Sequence, residues 1–495
     1  MFNIDFSFLV AFMPDDAFYY QQIAYNFNRG LGFSFDGLNQ TNGYQPIWMY
    51  ILTGIYAIFD FPKEMMIRIT LFIQLIIIVL TLYFFYDTLK QIINNSVVRY
   101  SAFSILFFLL FFRSLGGMDT AILILFYAIL LKLFINRKKF AELTYTILAA
   151  VLTGVIILTR LDQAPLALII PLLLFERKDK FKVNTKSLMI YWGISGAIIA
   201  PYLAGNLLQW GHLMPVSVWI KSSFPNIILH STTFKAMSEN ITVVLSAVLI
   251  LIYPVWLLIA KIINYTPESP ALRKFTILIW VTVIIHFFHL ILFLTFGFAP
   301  WHISMYLFAI SLIIIEPVHY FLKSKKFVYI TVIALITINL YSGYKFWNKY
   351  YEAPLGKWGV INYTIAQHQN KTLPEDARVF YSDCGVFGFF SERNTINADG
   401  LVNNYEYQTV LKEQRLKEYL IKNKISHILL ELSDNFVFEE IGREHQASFR
   451  FFSHKYQVLS DEFTIYLKDL LYLSSPRYDN EIISRYLIFK VNLGE

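Results

Sequence analysis

Long apolar runs separated by short basic clusters constrain this chain more than any other feature of its sequence. A helix that crosses a bilayer takes roughly 20 mostly apolar residues. Runs of that kind are predicted at 67–86, 97–112, 118–135, 145–161, 164–175, 188–208, 241–263, 275–296, 303–322 and 327–346, ten spans in all. Residues 46–59 are also apolar, but at that length they are expected to lie in the interface or re-enter. Composition agrees: of 495 residues, 56% are hydrophobic and only 16% charged, against about 25% charged in soluble domains. With a mean hydropathy of +0.50, a soluble globular fold is excluded. The fold class is therefore a polytopic α-helical membrane protein, with a soluble domain at its C-terminal end.

The basic clusters set the weaving. Lys90 with Arg99, Arg137 to Lys139, Arg177 to Lys186, Lys261 with Arg273 and Lys274, and Lys323 to Lys326 fall in alternate loops. The positive-inside rule makes those loops cytoplasmic. The intervening loops near Asp119, Asp162, Lys221 and Pro300 hold few cations and are expected outside, together with a first external loop over 14–66 and everything after Trp347. This distribution also removes nucleic acid as the reading of the +7 net charge. Cys384, the single cysteine, excludes an intramolecular disulfide. Residues 1–13 carry no basic residue ahead of their apolar stretch, so no cleavable signal is expected. About a dozen residues precede Asp15, fewer than a span needs. Either the chain begins within a shortened first helix or its true start lies upstream.

Two domains follow: 1–347 in the membrane and 348–495 as an external α/β domain. Strands are expected at 378–383, 395–398, 426–432, 463–468 and 486–491, with an amphipathic helix at 404–423. The Gly-containing run 384–388 lacks a phosphate-loop pattern and reads as a tight turn.

Several charged residues are positioned for chemistry. Asp15 and Asp16, adjacent carboxylates where a membrane helix meets water, are costly if buried without partners. One can serve as a base toward a hydroxyl; equally, the pair can cap and solvate a helix start. Asp36, beside Gly37, reads as a turn residue. Asp119 is either a helix cap or part of the same external site. Arg160 and Asp162 flank a break between spans and are expected to pair with each other. Lys221 stands in a cation-poor loop, as a snorkelling side chain or as the partner of a phosphate. His286 and His289 have helical spacing but no third metal ligand. His302 lines the external cavity or belongs to an aromatic belt.

The run DDAFYYQQIAYNFNRGLGFSFDGLNQTNGYQPIW resembles the first external loop of GT-C superfamily glycosyltransferases, notably relatives of the protein O-mannosyltransferases and the lipid A aminoarabinose transferase. GGMDTAILIL, ILTRLDQAPL, GHLMPVSVWIK and the tail segment SDCGVFGFFSERNTINADGLVNNYEY look like later landmarks of the same family. The resemblance implies a transferase of the cell membrane that uses a polyprenyl-phosphate sugar at the external face. Its acceptor would be a glycan, lipid or protein. By this likeness Asp15 is the base, Asp16 orients it, Asp119 positions hydroxyls, and Lys221 with Arg160 holds the departing phosphate. No cofactor or metal is needed for a single inverting displacement, although three external carboxylates can hold a divalent ion. The family carries a complete helix before the acidic pair, and many relatives have Asp-Glu there. A multi-spanning transporter would instead show repeats and broken helices near mid-membrane. A silent scaffold of envelope polysaccharide assembly would tolerate loss of the acidic pair.

Overall fold

The structure, a computed structural model, describes residues 4–174, 185–228, 241–295, 300–322 and 357–491, short stretches of the last range excepted, together with scattered positions between 235 and 348. Residue 175, the basic residues at 177–182 and 323–326, and part of the span expected at 327–346 lie outside the described residues.

The N-terminal part is helical: α1 (Phe6–Phe12), α2 (Asp15–Asn26), α3 (Pro46–Ile58), α4 (Lys63–Ile92), α5 (Ser96–Ser114), α6 (Thr120–Ile135), α7 (Glu142–Thr159), α8 (Leu166–Leu174), α9 (Thr185–Trp210), α10 (Val216–Lys221), α11 (Ile241–Ile262), α12 (Pro270–Phe293), α13 (Ser304–Ile313) and α14 (Ile315–Phe321). Among the described residues, α4, α7, α9 and α12 are long and apolar enough to cross a membrane. In α4 the periodicity shows why. Phe72, Ile76, Val79, Leu80 and Tyr83 share an exposed stripe, while Leu71, Gln74, Ile78 and Phe85 are buried on the opposite side. An apolar stripe of this extent suits hydrocarbon rather than water. At 13 residues, α3 is too short to span at 1.5 Å per residue. The span expected at 303–322 is helical almost throughout: Ile314, between α13 and α14, keeps right-handed helical backbone, with Ile314 N donating to Ile310 O and Val318 N to Ile314 O.

The C-terminal part holds α15 (Trp358–Thr372), α16 (Gly385–Phe390), α17 (Tyr405–Lys412) and α18 (Leu416–Lys422). Its main sheet uses β1 (Arg378–Tyr381), β2 (Asn394–Asn397) and β3 (His427–Ser433). Strands β4 (Glu439–Ile441), β5 (Glu444–Phe449), β6 (Phe452–Ser453), β7 (Val458–Leu459) and β8 (Phe463–Tyr466) follow, then β9 (Leu470–Leu473), β10 (Arg477–Asp479) and β11 (Ile482–Lys490). The main sheet runs β10-β11-β3-β1-β2, with β9 also on β11. In it β1 lies parallel to β2 and β3, and β11 runs antiparallel to β3. Strands β4, β5 and β8 form a separate sheet, and β6 with β7 a hairpin.

Two expectations need correction. The single helix expected at 404–423 breaks at Gln414, whose φ is +55°, and Asp461 supplies the missing cap: its carboxylate accepts from Leu416 N at 2.7 Å and Lys417 N at 3.3 Å. The expected turn at 384–388 opens the buried helix α16. It forms because a carboxylate from α2 satisfies its first amides, a partner far away in sequence.

Candidate functional site

The site is organised by α2, which begins Pro14-Asp15-Asp16. Successive residues of an α-helix point about 100° apart, while residues four apart share a face. Asp15 therefore shares a face with Tyr19, and Asp16 with Tyr20.

The Asp15 face meets the C-terminal domain. Its carboxylate accepts from Gly385 N at 2.8 Å and Val386 N at 2.7 Å, which caps α16. Burial pushes the carboxyl well above the usual range, opposed by those two amides and reinforced by Asp383 and Asp16. A methyl on Gly385 would stand 2.2 Å from the Asp15 carbonyl oxygen, so only glycine permits this approach. Tyr19 OH donates to Asp399 at 3.2 Å and accepts from Cys384 N at 3.1 Å. Asp399 in turn accepts from Asp383 N at 3.0 Å and Leu401 N at 2.8 Å. These contacts fall where β1 and β2 end. That is where open parallel sheets ordinarily take ligands, but here α2 occupies the position.

The Asp16 face turns toward the helical part. Asp16 lies 3.6 Å from Lys221, with side-chain exposures of 23% and 18%. Tyr20 OH accepts from Gln45 N at 3.0 Å. Beyond it, Arg160 sits 3.4 Å from Asp119 and 2.7 Å from Asp162. His286 Nε2 lies 3.2 Å from Asp162, and its Nδ1 contacts Tyr306 OH at 3.1 Å. Buried His302 is within electrostatic reach of Arg160 and Lys221. The Asp119 loop is held rigidly: Trp48 donates to Gly117 O at 2.8 Å, and Gln74 donates to Met118 O at 2.6 Å while accepting from Gly117 N at 2.8 Å.

The structure thus brings together Asp16, Lys221, Arg160, Asp119 and His302. It separates Asp15 from that group by placing both of its oxygens on backbone amides. Asp119 makes no side-chain cap for α6, and its Oδ2 is buried with no hydrogen-bond partner among the described residues. The expected Arg160–Asp162 pairing is present, with Asp119 added. Asp36 is the turn residue expected, accepting from Leu38 N at 2.8 Å and Asn39 N at 2.7 Å. His289 packs on Phe293. Among the described residues no three His, Cys, Asp or Glu side chains gather as a metal site.

Sequence reasoning missed three contributors. Asp383 holds its backbone at φ +46°, and its carboxyl is pushed up to about 7 by partial loss of water, then by Asp399 and Asp16. Asn42 ties three elements together, donating to Asn206 at 3.1 Å and Tyr405 OH at 3.1 Å and accepting from Val216 N at 3.0 Å. Tyr19 is the third. The signal was present as two Asp–Tyr pairs at i, i+4 in DDAFYY.

Residues 350–478 match the family described as "Domain of unknown function (DUF8728)". The match falls on the C-terminal domain, including Asp383 and Asp399, and leaves the helical part uncovered. No curated protein matches the chain.

Proposed function

We propose that the chain is a polytopic membrane glycosyltransferase of the GT-C kind. It moves a sugar from a polyprenyl-phosphate donor to an acceptor hydroxyl or amine at the external membrane face, with inversion. The observation that carries this reading is the partly exposed Asp16–Lys221 pair: a base and a cation side by side where apolar helices meet the C-terminal domain.

In this mechanism the acceptor oxygen attacks the anomeric carbon while Asp16 takes its proton. The bond from that carbon to the phosphate oxygen breaks, and the electron pair leaves with the polyprenyl phosphate. Lys221 balances the charge that develops on the leaving group. The geometry shifts two roles implied by the resemblance. Asp15 holds α16 instead of acting as base. Arg160, already neutralised by Asp119 and Asp162, sets those carboxylates in place to orient sugar hydroxyls, and the phosphate falls to Lys221.

The test is transfer in membranes supplied with radiolabelled polyprenyl-phosphate sugars. Asp16→Asn is expected to lower transfer by about 10²–10⁴ with the amount of folded protein unchanged. Wild-type rates in that variant would remove Asp16 from the chemistry.

A further inference from the structure

A cavity of about 510 Å³ opens between the latter half of α2 and the C-terminal domain. Its volume falls within the range typical of small-molecule sites. The lining residues Gln22 and Asn26 follow Asp16 by six and ten positions, roughly 9–15 Å along the helix. The two sites are therefore distinct.

Five carboxamides line it: Gln22 and Asn26 from α2, Gln367 and Asn370 from α15, and Asn394 from β2. They are held in place. Asn26 uses both amide hydrogens on Ser34 O and Phe35 O and accepts from Gln22, so it anchors the floor. Asn370 donates to Phe390 O at 3.0 Å and Asn394 to Asp36 O at 2.7 Å, each through one of its two amide hydrogens. Charges of both signs line the same space but are largely committed. Arg393 donates to Leu373 O and Asn370 O, both at 2.9 Å. Lys63 donates to Phe389 O, and the Asp36 carboxylate closes its own turn. With Glu64 and Glu392 also present, carboxylates outnumber cations, which disfavours an anion. Leu31, 44% exposed, adds an apolar surface.

A carboxamide can donate and accept at once, which matches neighbouring hydroxyl groups, and the apolar surface suits the C–H face of a sugar ring. We propose that this cavity binds a neutral oligosaccharide segment. Its role as the acceptor glycan rests on the glycosyl-transfer reading, whereas the binding itself does not.

The experiment uses the full chain in nanodiscs without donor, with mannotriose and chitotriose as probes and a sulfated chitotriose as the charged control, read by saturation-transfer NMR. At least one neutral trisaccharide is expected to bind. Gln367→Trp, at an exposed rim position, is expected to weaken that binding about tenfold or more, with an unchanged melting temperature. Should the tryptophan variant not fold, the double variant Gln367→Ala, Glu392→Ala is expected to show the same loss. Asp16→Asn is expected to bind the trisaccharide as wild type does. The inference is overturned if neither neutral trisaccharide binds, if the sulfated probe binds as well or better, if the rim variants bind normally, or if Asp16→Asn abolishes binding. Intact binding without any transfer would overturn the proposed function and leave this site standing.

Discussion

Asp15 and Asp16 are neighbours in sequence but belong to two different regions. At the junction between α2 and the C-terminal domain, polar groups are matched in pairs: Asp15 with two amides, and Tyr19 with Asp399 and Cys384 N. At the helical side, charges crowd without full satisfaction. Arg160 is shared between two carboxylates, Asp119 Oδ2 is buried without a hydrogen bond among the described residues, and Asp16 stays partly open to solvent. A saturated polar cluster specifies a structure. An under-satisfied one keeps free energy available for a ligand. One helical step of about 100° separates the two roles.

The most forceful way to break this comparison is Arg160→Gln. It leaves Asp119 and Asp162 buried without their cation and is expected to cost about 3–5 kcal/mol, read as lost thermal stability in detergent. A near-neutral result would mean the cluster is not held by Arg160. Asp15→Asn keeps one acceptor oxygen and turns an NH2 toward the other amide, so one of the two hydrogen bonds is lost. It is expected to destabilise by about 3 kcal/mol, while transfer per folded molecule stays near wild type. If Asp15→Asn folds normally and is inactive, the two roles are reversed.

Asp383 gives a pH signature at the border of the two regions. Its carboxyl, raised to about 7, keeps its proton in the folded state at pH values where the unfolded chain has lost it. Its contribution is therefore full below pH about 4 and declines as pH rises to about 7. Asp383→Asn is expected to flatten melting temperature against pH across that window; an unchanged slope assigns it to another group. A smaller effect is expected for Asp36→Ala, which removes the buried acceptor of Leu38 N and Asn39 N at about 1–3 kcal/mol, measured by thermal melting.

Elements whose causes are local were legible beforehand. The apolar period of α4, the strands at β1, β3 and β8, and the turn at Asp36 depend on nearby residues, and each lies close to its expected position. Elements with distant causes were not. The α17–α18 break needs Asp461, and α16 needs Asp15; the sequence distance between those partners hides the contact. The site was half legible. Asp16, Lys221 and Arg160 stood out as charges in apolar surroundings, whereas Asp383 fell at the end of an expected strand and Asn42 within the first external loop, neither singled out.

The sequence by itself determined a mostly helical chain with segments able to cross a membrane and an α/β region after them, because hydropathy and period are local and additive. Only the tertiary structure decided which carboxylate of the pair stays partly open to solvent. That choice depends on what each face of α2 meets: Asp15 meets the open amides of α16, and Asp16 meets Lys221. Two identical side chains one residue apart carry no difference that the sequence can express.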